Sequence, residues 1–173
     1  KILKVVICVE SNNEFYTVRG YQLLKKNKKM LTSAMEDYLE MIYRNCLEEG
    51  YMRISTLSEL LNVRPSSSTK MVQRLAAIGL VDYKRYGIIF LTDTGREIGE
   101  FLLKRHNIVE KFLSTIGITE NLLKETELIE HNVSVNTLQN IYLLNEFFNV
   151  NPDIFSKFKD FKEKYDIEGM FER

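Results

Sequence analysis

The sequence predicts a mainly α fold, with a winged helix-turn-helix unit in front of an all-helical region. Three observations carry that prediction. Apolar residues recur at helical spacing from Thr32 onward. Two short helical stretches meet at a turn that ends in Pro65, and two β-type runs then flank Gly87.

The first 30 residues stand apart. Ile2–Val9 reads as a strand, Phe15–Val18 as a second, and Ser11–Glu14 as the turn between them. Residues 1–30 are therefore expected to be an N-terminal extension, either a β-hairpin or disordered, and Met30 is a candidate start of the functional chain. From Thr32 the pattern is helical: Met35, Leu39, Ile42, Tyr43 and Leu47 share one face, Ser33 is the expected N-cap, and Gly50 ends the helix. Ser55–Leu61 forms a second helix and Asn62–Arg64 the turn. Ser66–Ile78 forms a third, opened by Pro65 at a position that tolerates proline, with Met71, Val72 and Leu75 inward. Gly79 caps it. Leu80–Tyr86 and Ile88–Thr92 make a hairpin with a basic tip at Lys84 and Arg85. A long helix follows from Asp93 to about Ile116, broken at Gly117. Three more occupy 120–173, punctuated at His131-Asn132 and Asn149–Pro152. The expected domains are 31–98, the winged unit, and 99–173, the helical one.

Bulk composition narrows the class. With 45% hydrophobic and 28% charged residues, the chain reads as a globular protein rather than a disordered one. No apolar run reaches the roughly 18 residues that span a bilayer, so neither a membrane partner nor a signal peptide is expected. Cys8 and Cys46 are isolated, which fits a reducing cytoplasm. Net charge is zero, but it is unevenly spread. Residues 1–30 carry seven Lys/Arg against two Asp/Glu, and residues 100–173 carry nine against thirteen. Within 64–85, five basic residues face Asp82 alone.

That basic patch coincides with the third helix. A helix-turn-helix puts its second helix in the major groove, N-terminal residues foremost. Here these are Arg64, Pro65, Ser66, Ser67, Thr69 and Lys70, with Gln73 and Arg74 on the next turns. Small hydroxyls let the backbone approach DNA, and Lys84 and Arg85 can hold flanking phosphates. The same pattern also serves protein-interaction modules, in which the serines are simply a cap.

A second constellation surrounds the only two histidines. Asp37 and Glu40 are three apart; Glu127, Glu130 and His131 stand at i, i+3 and i+4; His106 lies midway along the long helix. Each group alone also fits a solvated helix face. Together they form a hard oxygen-and-nitrogen set suited to manganese, iron(II), zinc or cobalt, as one ion or a carboxylate-bridged pair. A di-metal carboxylate enzyme is the rival reading, but it needs Glu-x-x-His on two helices. Leu103 stands three before His106 and Glu130 three after Glu127, so no enzyme is expected. A winged-helix regulator of an organic ligand is the other alternative.

The blocks MEDYLEMIY (35–43), VRPSSSTKMVQRL (63–75), IIFLTDTG (88–95), RHNIVEKFL (105–113) and ELIEH (127–131) resemble the diphtheria-toxin-repressor (DtxR) family of metal-dependent transcriptional regulators, most of all its manganese branch. The resemblance covers 31–148. It implies a cytoplasmic homodimer whose N-terminal domains bind a palindromic double-stranded operator when metal is present, with no small organic substrate. It also implies a repressor of metal-uptake genes whose second domain binds metal and dimerises. By resemblance, Asp37, Glu40, His106, Glu127, Glu130 and His131 match the ligand positions. Iron-responsive relatives hold Met and Cys at the positions of Asp37 and Glu127, so the carboxylates here imply Mn2+, with Fe2+, Co2+, Cd2+ or Zn2+ as substitutes. An iron(II)-responsive regulator is the alternative within the family. The SH3-like third domain of those relatives is expected to be absent, and residues 1–30 have no family counterpart.

Overall fold

The computed structural model describes Gln22, Leu23 and residues 31–165. The strands expected within residues 2–18 lie outside this range, as do the Lys25–Lys29 run and Met30. By packing, the chain divides into two compact units, 1–105 and 106–173.

In the first unit, helix α1 spans Ser33–Glu49. Its N-cap is Thr32 rather than the expected Ser33. Thr32 is extended (φ −88°, ψ 161°), and its Oγ1 accepts the Met35 N–H at 3.4 Å. Two adjacent hydroxyl residues offer the same capping chemistry, and the one left outside the helical turn takes the role. Met35, Leu39, Ile42 and Tyr43 are buried as their spacing demands. Leu47 departs from that expectation at 57% exposed, because the chain from Leu47 to the helix end at Glu49 lies at the surface. Gly50, at φ 76°, closes α1 with its N–H on the Cys46 carbonyl at 3.0 Å.

Strand β1 (Met52–Arg53) is too short for alternation to reveal. Helix α2 (Ile54–Leu60) begins one residue earlier than Ser55, and the Ser58 hydroxyl donates to the Ile54 carbonyl at 2.7 Å. The turn to α3 (Pro65–Ala77) contains Asn62 in the left-handed region, a conformation asparagine tolerates. Val72 and Leu75 of α3 are fully buried, whereas Met71 is half-buried.

Strands β2 (Val81–Lys84) and β3 (Ile88–Leu91) pair antiparallel, with Val81 opposite Leu91 and Lys84 opposite Ile88. Strand β1 adds to the far side of β3, Met52 opposite Ile89. The tip, Arg85–Gly87, puts Tyr86 at φ 64° and leaves it 92% exposed. A left-handed backbone is costly for a bulky residue. Replacing Tyr86 by Asn should therefore raise stability by about 1 kcal/mol. Urea unfolding checks this, and an unchanged midpoint would remove the strain from the account.

Thr92 joins the wing to helix α4 (Asp93–Ile116): its Oγ1 accepts the Gly95 N–H at 3.0 Å and donates to the Gly79 carbonyl at 2.8 Å. A Cβ built at Gly95 would collide with the Leu80 carbonyl, so this close approach of helix to strand requires glycine. Leu39, Ile42, Leu57, Leu80, Ile89, Ile98 and Leu102 complete a fully buried core.

The second unit contains the end of α4, α5 (Leu122–Glu130), α6 (Val135–Val150) and α7 (Pro152–Lys164). Lys162 on α7 donates to the Ile116 carbonyl at 2.6 Å, placing a cation on the carboxyl end of α4, where the helix dipole favours it. Asn145 is buried on α6 and donates to the Ile108 carbonyl at 3.0 Å. Much apolar surface stays exposed here, including Leu128 on α5 and Leu143, Leu144, Phe147 and Val150 on α6. No helix among the described residues is long and apolar enough to cross a membrane.

Candidate metal centre and DNA-reading face

In the second unit, one buried carboxylate organises the histidines. Glu130 ends α5 with 2% of its surface exposed. Its Oε2 lies 3.1 Å from Nδ1 of His106, which is 5% exposed on α4. Its Oε1 lies 3.9 Å from Nε2 of His131, the residue that caps α5. Two residues 24 positions apart, His106 and Glu130, thus meet at hydrogen-bond distance inside the unit. Glu127 stands one turn earlier on α5 and is exposed.

Burying a carboxylate is costly unless charge or hydrogen bonds compensate it. Among the described residues, the Glu130 oxygens face imidazole nitrogens rather than lysine or arginine. Carboxylate and neutral imidazole are also the donors that hard and borderline divalent ions take. The donor set therefore fits such an ion, and the imidazoles must be deprotonated to bind it.

Asp37 and Glu40 lie one turn apart on α1, in the first unit. Glu40 is 7% exposed, and its Oε1 accepts from Arg44 Nη2 at 2.6 Å and Nε at 3.0 Å. Beside Asp37, Glu36 is buried and pairs with Arg105 at 2.9 Å. Neither arginine stood out in the sequence, although the i, i+4 spacing of Glu40 and Arg44 is visible there.

Cys46, also on α1, is a buried free thiol. Burial pushes its pKa up while Arg96 pulls it partly back, so the thiol stays neutral. Nearby, burial and Glu100 raise the Tyr43 phenol, against a smaller opposite effect of Arg96.

The expected DNA face lies on α3 and the wing, also in the first unit. Ser66, Ser67, Lys70, Gln73 and Arg74 are exposed on α3, as are Arg64 and Pro65 at its start. Thr69 is half-buried and its hydroxyl donates to the Pro65 carbonyl at 2.9 Å, tightening the first turn. Ser68, between them, is fully buried with no hydrogen-bond partner for its hydroxyl among the described residues. The serine run is therefore split, Ser66 and Ser67 outward and Ser68 inward. On the wing, Arg85 is exposed, and Lys84 pairs with Asp82 at 3.2 Å, both 59% exposed. Such a surface pair is weak enough for Lys84 to exchange it for a phosphate. Tyr86, absent from the residues the sequence singled out, is the most prominent side chain at the tip. Its only advance signal was its place next to Gly87 in the hairpin.

Comparison with known proteins covers both units. Residues 30–88 match the family described as "Iron dependent repressor, N-terminal DNA binding domain". Residues 92–158 match "Iron dependent repressor, metal binding and dimerisation domain". The chain is 43% identical over 135 residues to the HTH-type transcriptional regulator MntR of Oceanobacillus iheyensis, covering 78% of this chain and 90% of that protein. It is 44% identical over 120 residues to MntR of Geobacillus kaustophilus, covering 69% and 85%. Among solved structures it resembles the manganese regulator SloR, with a TM-score of 0.57 and 26% identity. That match covers 66% of this chain and 53% of SloR, so this chain spans about half of its length. The paired domain matches and the extent of identity to full-length relatives place the chain in the MntR branch of the DtxR family of metal-dependent transcriptional regulators.

Proposed function

We propose that this protein is a manganese-responsive DNA-binding repressor of metal-uptake genes, acting in the cytoplasm. The observation that carries the reading is Glu130, a buried carboxylate whose two oxygens face two imidazoles. Asp37, Glu40, His106, Glu127, Glu130 and His131 are the ligands we assign, to one Mn2+ or a bridged pair per subunit. Fe2+, Co2+, Cd2+ and Zn2+ are substitutes. Carboxylates at Asp37 and Glu127, with no sulfur ligand, favour manganese over softer ions.

A bound divalent ion supplies the positive charge that lets several carboxylates stand close together. The protein's own residues do the rest. Glu130 holds the His106 imidazole in place, and His106 and His131 lend a lone pair each once neutral. Asp37 and Glu40 bring α1 into the set, and α1 packs on α3. Fixing α1 therefore fixes how α3 is presented. Arg64, Pro65, Ser66, Ser67, Thr69, Lys70, Gln73 and Arg74 then face the major groove, and Lys84 and Arg85 the flanking backbone.

We assign the exposed apolar residues of α5 and α6 to a homodimer interface, a role their size and exposure suit. Two copies would present α3 to successive major grooves of a palindromic operator, roughly 34 Å apart. The domains we assign are 31–98 for DNA reading and 99–173 for metal binding and dimerisation, behind the extension 1–30.

The test is a titration of DNA binding across divalent metals, using duplexes the protein recovers from a random pool. Mn2+ should switch on binding at concentrations where it is available in the cell. Asp37→Met combined with Glu127→Cys should shift the response toward iron. An unchanged preference would refute the selectivity argument.

A further inference from the structure

We propose that Arg44 sets the metal threshold of this protein by competing with the divalent ion for Glu40, an inference that rests on Glu40 being a ligand. Asp37, Glu40 and Arg44 stand at i, i+3 and i+7 of α1, on one stripe of the helix. Arg44 sends both Nη2 and Nε to the same Glu40 oxygen, Oε1, at 2.6 and 3.0 Å. The Glu40 side chain is 10% exposed and that of Arg44 39%, so the pair is screened on one side only.

This arrangement acts on both metal states, in opposite directions. Without metal, a buried carboxylate needs a counter-charge, and Arg44 supplies it. With metal, the ion must share Oε1 with the guanidinium or bind Oε2 with a full positive charge one carboxylate away. Arginine cannot relieve that repulsion by losing its proton. The metal-free form is stabilised and the metal-bound form opposed, so more metal is needed to fill the site. An arginine that merely oriented Glu40 would do the reverse, because its removal would loosen a ligand.

The measurement is Mn2+ binding to the full-length protein, read from the electron paramagnetic resonance of free Mn2+. Variants are Arg44→Met, Arg44→Gln, Arg44→Lys and Glu40→Gln, with thermal unfolding of each metal-free form as the check on folding. Arg44→Met and Arg44→Gln should lower the Mn2+ dissociation constant about tenfold, after allowance for solvent screening of a partly exposed charge. Arg44→Lys, which keeps the charge, should stay near wild type. Glu40→Gln should weaken binding. If Glu40→Gln weakens binding but folded Arg44→Met or Arg44→Gln binds no tighter than wild type, the role of Arg44 is overturned and Glu40 remains a ligand. If Glu40→Gln leaves Mn2+ binding unchanged, both assignments fall.

Discussion

Replacing Glu130 by Gln should raise the Mn2+ concentration needed for half-maximal DNA binding by at least about 100-fold. Groups that merely support metal ligands cost up to about that much when removed, and Glu130 is placed to do more. Its two oxygens face His106 and His131 at 3.1 and 3.9 Å, and the residue is 2% exposed. Glutamine preserves the volume but removes the charge and turns one oxygen into a donor. The His106 imidazole then loses its charged partner, and an ion held there would lose a ligand. Fluorescence anisotropy of a labelled duplex against Mn2+ reads the shift. A midpoint within about threefold of wild type would mean that Glu130 is a structural carboxylate.

The second large effect concerns stability. Glu36→Met should destabilise the protein by about 3–5 kcal/mol, because it removes one member of a buried ion pair and leaves the Arg105 guanidinium buried without the Glu36 counter-charge. The pair is 2.9 Å long, and its side chains are only 11% and 5% exposed. The double variant Glu36→Met/Arg105→Leu should recover much of the loss, since replacing a whole buried pair by apolar residues is often close to neutral. Denaturant unfolding of the metal-free protein measures both. If the double variant were as unstable as the single one, the loss would come from the pair's missing attraction rather than from the Arg105 charge left buried.

The two arginine pairs also mark where sequence reading stops. Glu40 and Arg44 are on one helix and four apart, so their contact was available to a spacing argument. Glu36 and Arg105 lie on different helices, 69 positions apart in the chain. Nothing in either local pattern points to the other. The same holds for the approach of His106 to Glu130: both residues stood out in the sequence as candidate ligands, but their burial and mutual contact did not.

Elements were legible where glycine and proline punctuate them. Gly50, Pro65, Gly79, Gly117 and Pro152 sit at or beside observed helix ends. What escaped was decided by one or two residues: Thr32 over Ser33 as the cap, the two-residue β1, the surface position of Leu47. Periodicity averages over turns and cannot resolve such choices. Tyr86 escaped for a different reason, since a left-handed tyrosine contradicts local preference and only the completed hairpin imposes it.

The central claim is that metal occupancy switches DNA binding on. It is tested most directly by measuring the affinity of the wild-type protein for one selected duplex at fixed ionic strength, first in saturating Mn2+ and then after chelation. Fixed salt matters, because phosphate contacts alone change affinity steeply with ionic strength. Binding at least about 100-fold tighter with Mn2+ is the predicted result, corresponding to a coupling of about 2.7 kcal/mol. Equal affinity in the two conditions would contradict the account.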